Sequence, residues 1–160
     1  MNKQLLTLKE QQEQAAFVRF TERLRTTTEW KSISSRKPPE PDLRCEHHKE
    51  GVVVAFELLS LTNPDIAEIQ SIGNKAKKTV FYTKQPEHQT IWKKLRASES
   101  YQTDASRIEL LIYTDGRAIM PDDDLIVMVR EALGGSSAMH HFARIWFMGE
   151  SKTCPVYPEL

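Results

Sequence analysis

Pro41-Asp42-Leu43-Arg44-Cys45-Glu46-His47-His48-Lys49-Glu50-Gly51-Val52-Val53-Val54-Ala55-Phe56-Glu57-Leu58-Leu59 decides the fold. The run from Val52 to Leu59 is apolar and rich in β-branched residues, which suits a buried strand, and Lys49-Glu50-Gly51 supplies a tight polar reversal ahead of it. The stretch reads as a β-hairpin. A turn centred between Lys49 and Glu50 sets Asp42 directly opposite Glu57. A turn centred on Glu50-Gly51 sets Asp42 opposite Leu59, with Glu57 one diagonal away. In both registers the period of two leaves the two carboxylates on one face of the sheet. Directly opposed Cβ atoms stand about 5 Å apart, so the two charges repel unless a cation or a shared proton intervenes. A glutamate inside Val-Val-Val-Ala-Phe-Glu-Leu-Leu is costly without a partner. A hard metal ion is the simplest one.

The same parity sorts the rest of the hairpin. Val52, Val54, Phe56 and Leu58 share a face with Leu43 and Cys45, and that face is expected to be core. Val53, Ala55, Glu57 and Leu59 share the other with Asp42, Arg44 and Glu46. This second face is apolar at one end and acidic at the other, as expected of a sheet bordering a cleft.

Working outward, 160 residues at 39% hydrophobic suffice for one domain spanning residues 1–160 with a substantial core. No apolar run approaches the ~20 residues of a membrane span. Met1-Asn2-Lys3-Gln4 lacks the apolar block of an export signal. Cys45 and Cys154 are too few for a disulfide scaffold and are expected as reduced thiols, which places the chain in the cytoplasm. No internal repeat is visible. Net charge is zero, yet Lys75 to Arg96 holds seven bases (Lys75, Lys77, Lys78, Lys84, Lys93, Lys94, Arg96) against one acid, Glu87. Interleaved with Phe81, Tyr82 and Trp92, this block could follow a phosphate backbone, with Lys77, Lys78, Lys93 and Lys94 as its contacts. A solvated helical surface is the simpler account of the same block.

Lys9 to Thr26 is expected to be a helix, with Ala16, Phe17, Phe20 and Leu24 in one apolar stripe and Glu13 at its upper end. A short strand around Lys31 to Ser34 and an irregular, proline-rich Ser35 to Pro41 lead into the hairpin. Asn63-Pro64 caps a second helix with Ile66, Ala67, Ile69 and Ile72 buried. Thr79 to Thr83 reads as a short strand, and Pro86 to Ala97 as a helix with Ile91, Trp92 and Leu95 inward. Ile108 to Tyr113 has the near-continuous apolar character of a central strand. Pro121-Asp122-Asp123-Asp124 opens a helix that Gly134-Gly135 stops, and Phe142 to Met148 is a further strand. Strand, helix, strand at this spacing predicts a parallel pair. The whole reads as an α/β chain with a mixed central β-sheet flanked by helices.

At this point the pattern resembles the PD-(D/E)xK nuclease superfamily, whose restriction-endonuclease-like fold runs helix, antiparallel strands, helix and a further strand. Its signature lies on the hairpin: Pro41-Asp42 supplies the Pro-Asp and Glu57 the second acid. The resemblance implies Mg²⁺ or Mn²⁺ held by Asp42, Glu57 and the backbone carbonyl of Leu58, and a water activated for attack on a phosphodiester of DNA or RNA. It also implies a role for Glu13, matching an acid that some members place on the first helix, with Glu22 a weaker match. The position that should carry the family's lysine is Leu59, and an isobutyl group cannot orient or deprotonate a water. The family sometimes moves that lysine to the following helix, where Lys75, Lys77 and Lys78 are available, and Lys75 is the expected catalytic lysine. It lies roughly three turns along that helix, a long way from Glu57.

Other candidates have simpler explanations. His47-His48 and His140-His141 are neighbours that point to opposite faces on a strand, so neither pair chelates as a pair. Cys45 falls on the core side, as a buried inert thiol. Gly134-Gly135-Ser136-Ser137 lacks the lysine of a phosphate loop. Two functions remain: a metal-dependent endonuclease, or a catalytically inactive nuclease-fold module that binds nucleic acid or a protein. The expected partners are nucleic acid and a second copy of the chain in a homodimer, with no membrane.

Overall fold

The hairpin is the seed of a six-stranded sheet. In the computed structural model, which describes residues 5–61, 86–116, 120–135 and 140–158, the strands are β1 (Trp30–Ser35), β2 (Leu43–His47), β3 (Val53–Ser60), β4 (Arg107–Tyr113), β5 (Phe142–Met148) and β6 (Thr153–Tyr157). The helices are α1 (Leu8–Arg23), α2 (Pro86–Ala97) and α3 (Asp122–Gly135). Strand order in space follows the chain, β1 to β6. β1, β2 and β3 form an antiparallel meander, β3, β4 and β5 run parallel, and β6 returns antiparallel to β5. The chain is thus α/β with a mixed sheet. The expected parallel pair, Ile108–Tyr113 and Phe142–Met148, is adjacent and joined through α3. The second helix after Asn63, the strand at Thr79–Thr83, and Lys75, Lys77 and Lys78 lie outside the described residues.

Register settles the alternative left open above. Leu43 pairs with Phe56 and Cys45 with Val54, so the turn centres between Lys49 and Glu50, and one further step sets Asp42 opposite Glu57. Gly51 closes the turn at φ 64°, a left-handed conformation that its missing Cβ makes cheap, and its N–H bonds to the His47 carbonyl at 3.1 Å.

Two apolar layers clamp the sheet. On one face, Ala16, Phe17 and Phe20 of α1 pack on Leu43, Cys45, Val54, Phe56, Leu58, Leu111, Tyr113 and Met148. Phe17 is fully buried, 4.8 Å from Phe56 and 5.5 Å from Trp30 between ring centroids. Burying such a ring contributes about 2–3 kcal/mol. On the opposite face, Ile91 and Leu95 of α2 and Leu125, Val129 and Ala132 of α3 cover Leu59, Leu110, Ile112, Ile145 and Phe147.

α1 is fixed along its length, which matters for Glu13. Thr7 caps it reciprocally with Glu10, at 3.1 Å and 3.0 Å. Gln14 donates to Ser35 Oγ at 2.8 Å and Arg19 to the Thr114 carbonyl at 3.1 Å. Arg23 donates to the carbonyls of Gly149 and Glu150. The helix ends three residues before the expected Thr26, because Arg25 turns left-handed at φ 58°.

β6 had no counterpart in the sequence expectations. It is short and contains Pro155, and it lies at the edge of the sheet, where a missing N–H costs no ladder bond.

Candidate active site

Glu57 sits in the middle of β3 with 4% of its surface exposed, and both carboxylate oxygens are held. Oε1 accepts the backbone N–H of Asp42 at 3.3 Å. Oε2 accepts the hydroxyl of Tyr101 and lies 3.5 Å from the ammonium of Lys94. Asp42, the residue just before β2, turns its own carboxylate across the hairpin, where Oδ2 accepts the Leu58 N–H at 2.9 Å. The two acids are therefore cross-linked, each holding a backbone N–H at or beside the other. Glu13 completes the group from α1, buried to 7% exposure and hydrogen-bonded to the Asp42 carboxylate.

Three carboxylates here face one ion-paired ammonium, and their protonation reflects it. Burial, followed by the charge and hydrogen bond of Asp42, pushes Glu13 up to about 8. Burial, followed by the hydrogen bond and charge of Asp42, pushes Glu57 up to about 7, against the pull of Lys94 and Tyr101. Burial also acts to raise Asp42. Hydrogen bonds from Glu57, the Leu58 N–H and Glu13, with the charge of Lys94, outweigh it and hold Asp42 below the ordinary aspartate value. At neutral pH Asp42 is charged, Glu13 keeps its proton, and Glu57 is about half ionised beside Lys94. Burial and the Glu57 carboxylate raise the Tyr101 phenol, which keeps its proton and donates. On the α1 side, burial and the Glu13 and Asp115 charges push Tyr113 up to about 12.

Asp42, Glu57 and Glu13 converge. Glu22 is exposed on α1. Leu59 is 6% exposed and packs in one cluster with Ile91 and Leu95. Leu59, where the resemblance looked for a lysine, is therefore part of the seat of α2, the helix that brings Lys94 to Glu57. Lys94 was expected only as a phosphate contact. Its place follows from α2 itself, since Ile91, Lys94 and Leu95 stand at i, i+3 and i+4 on the inward side. Lys93, next to it, is exposed. Tyr101 was missed. It lies in a polar, aperiodic stretch between α2 and β4, and its signal is a lone aromatic with a polar tip ahead of a buried strand.

Elsewhere the simpler readings hold with refinements. Cys45 is fully buried, and burial raises its thiol well above the ordinary range. His47 stacks edge-on against Trp30 and lies 3.6 Å from Glu29. Asp122 does more than open α3. It is buried and accepts the backbone N–H groups of Glu150, Ser151 and Lys152 at 3.1, 2.8 and 2.8 Å.

Among the described residues, no three histidine, cysteine, aspartate or glutamate side chains form a finished metal cage. The all-oxygen donor set of Asp42 and Glu57, with the Leu58 backbone alongside, nevertheless fits a hard divalent cation. Mg²⁺ takes one or two carboxylates and keeps several of its waters. No helix among the described residues is long and apolar enough to cross a membrane. No family model, curated protein or solved structure matches this chain.

Proposed function

We propose that the chain is a divergent PD-(D/E)xK-type phosphodiesterase with a restriction-endonuclease-like fold, acting on DNA or RNA with Mg²⁺ or Mn²⁺, in which the lysine is supplied by α2 instead of β3. The observation that carries this reading is the 3.5 Å approach of Lys94 Nζ to Glu57 Oε2, beside Asp42 on the same edge of the hairpin. It supplies the ammonium that position 59 lacks. The element order, with a helix, an antiparallel meander, a helix and then a parallel strand, supports the same assignment.

Asp42 and Glu57, with the Leu58 carbonyl, are the groups that would hold the cation. When bound, the ion supplies a Lewis acid for the phosphate and a water of lowered pKa. Glu13 keeps a proton at neutral pH and hydrogen-bonds Asp42, which leaves the Asp42 carboxylate charged and available to the cation. Lys94 presents N–H donors that can orient a water and meet negative charge growing on the phosphate. The exposed Lys93 offers a contact to a flanking phosphate. The inactive-module reading has one observation in its favour: the Lys94 ammonium and the Tyr101 hydroxyl already occupy Oε2 and can stand in for a cation.

Metal titration separates the two. Mn²⁺ should raise the melting temperature of the parent and support cleavage of a nucleic acid substrate. Asp42→Ala and Glu57→Ala should each remove both effects. Lys94→Met should keep the metal-induced stabilisation while lowering cleavage about 10²–10⁴-fold. No metal response and no cleavage by the parent would sink the enzyme reading and leave the module.

A further inference from the structure

Both ends of the segment that carries Tyr101 are tied down. Ser98 is buried, donates to the Leu95 carbonyl at 2.6 Å and accepts the His141 N–H at 3.0 Å. On the far side, Gln102 donates its N–H to the Pro39 carbonyl at 2.9 Å, two residues before Pro41-Asp42. The ring leans on Phe142 at 6.3 Å and joins the apolar cluster under α2 and α3. The backbone and ring are thus placed independently of the hydroxyl. What the hydroxyl adds is one bond, to Glu57 Oε2.

That bond completes a three-point hold on a single carboxylate. The Asp42 N–H fixes Oε1, while Tyr101 and Lys94 meet at Oε2. The Asp42 N–H at 3.3 Å and Lys94 at 3.5 Å are long contacts that hold the carboxylate's terminal torsion, broad for a glutamate, only loosely. Lys94, on a flexible four-carbon stem, is a poor guide for that torsion, whereas a phenol on a packed ring is a rigid one. We propose that Tyr101 is a positioning residue, orienting Glu57 for a divalent cation and leaving the Lys94 ammonium able to move from Oε2 to the substrate phosphate. This rests on the metal-dependent reading above. Groups that orient a ligating carboxylate typically contribute about 10–100-fold in metal affinity or activity.

The test is a Mn²⁺ titration of the full chain, followed by thermal shift, on the parent, Tyr101→Phe, Glu57→Gln and the double variant. Tyr101→Phe removes one oxygen and leaves the ring. Its metal-free melting temperature should stay within a few degrees of the parent, while the Mn²⁺ concentration for half-maximal stabilisation rises about tenfold or more. Cleavage at saturating Mn²⁺ should return to within a few-fold of the parent. In the Glu57→Gln background the same change should have no further effect, because the carboxylate it positions is gone. A midpoint within twofold of the parent, with only the melting temperature lowered, would show a packing role and overturn the proposal. If Asp42→Ala still abolished the metal response in that case, the nuclease reading would stand without it. A parent with no metal response would overturn both.

Discussion

Two buried acid sites in this protein are built on opposite plans. Asp122, at the start of α3, is surrounded by donors: three consecutive backbone N–H groups of the turn between β5 and β6, and the Ser151 hydroxyl at 3.1 Å. Burial works against its charge, but those donors outweigh it and hold its carboxyl below the ordinary value. The fit is close enough that a Cβ on Gly149 would collide with the Asp122 carboxylate, so only glycine serves there. The hairpin group is the reverse: beside the donors of Asp42, Leu58, Tyr101 and Lys94, acid faces acid, and those contacts are met only by a shared proton. One arrangement is complete as it stands and holds a turn. The other sets carboxyl beside carboxyl and raises two of the three, a state that carries a cost in stability once they ionise and that a binding site can use.

The largest test of that contrast is in the sign of a stability change. Asp122→Ala strips three N–H groups of a charged acceptor and should destabilise the fold by about 3 kcal/mol. At this chain length that is a fall of roughly 6–12 °C in melting temperature. Glu13→Gln keeps a donor for Asp42 and removes a carboxyl, and at pH 8.5 it should leave stability unchanged or raise it. Denaturation curves for the two variants, side by side, read the result. A comparable loss from Glu13→Gln would mean that the hairpin acids are satisfied after all.

A smaller effect separates the sites by pH. Glu13 and Glu57 are raised in the folded chain, from 4.5 to about 8 and about 7, so folded protein holds more protons than unfolded across that interval. Their contribution is fully present below about pH 4.5 and is lost as pH rises through 7 and 8. Asp42 and Asp122 are lowered and act the other way, contributing above the ordinary aspartate range and losing that contribution in acid. Metal-free protein should therefore be most stable near about pH 4–4.5, lose stability steadily above that, and melt several degrees lower at pH 8.5. Saturating Mn²⁺ should flatten the alkaline side, since a bound cation replaces the protons. A melting temperature that climbs steadily from pH 5 to 8.5 would contradict the raised values.

How far the sequence reached follows from what each residue's placement depends on. Asp42 and Glu57 were legible because strand parity is local, and either turn register put them on one face. The parallel β4–β5 pair was legible for a similar reason, since a crossover of that length has one common geometry. Lys94 was half legible. The helix and its inward Ile91 and Leu95 were expected, but Lys94 was read as a phosphate contact, and only the docking of α2 on Leu59 says which strand residue it meets. The leucine that looked like a lost lysine is part of that docking. Tyr101 depends on tertiary ties to Pro39 and His141, which leave no periodic trace.

The smallest expected effect tests the outermost layer of the comparison, on two neighbouring lysines. Lys94 is half-buried against Glu57, whereas Lys93 is exposed on the same turn of α2 and forms no ion pair among the described residues. If α2 lies along a nucleic acid, Lys93 meets phosphate as a mobile surface charge. Lys93→Ala should then weaken binding less than tenfold, uniformly across sequences, and reduce the slope of log affinity against log salt by about one. The turnover at saturating substrate should not move. On the proposed reading Lys94→Met should do the opposite, lowering turnover with little change in the salt slope, because its charge is directed at the Glu57 carboxylate inside the hairpin group. Equal and purely salt-dependent losses from both substitutions would place Lys94 on the binding surface with Lys93 and leave the hairpin acids without their lysine.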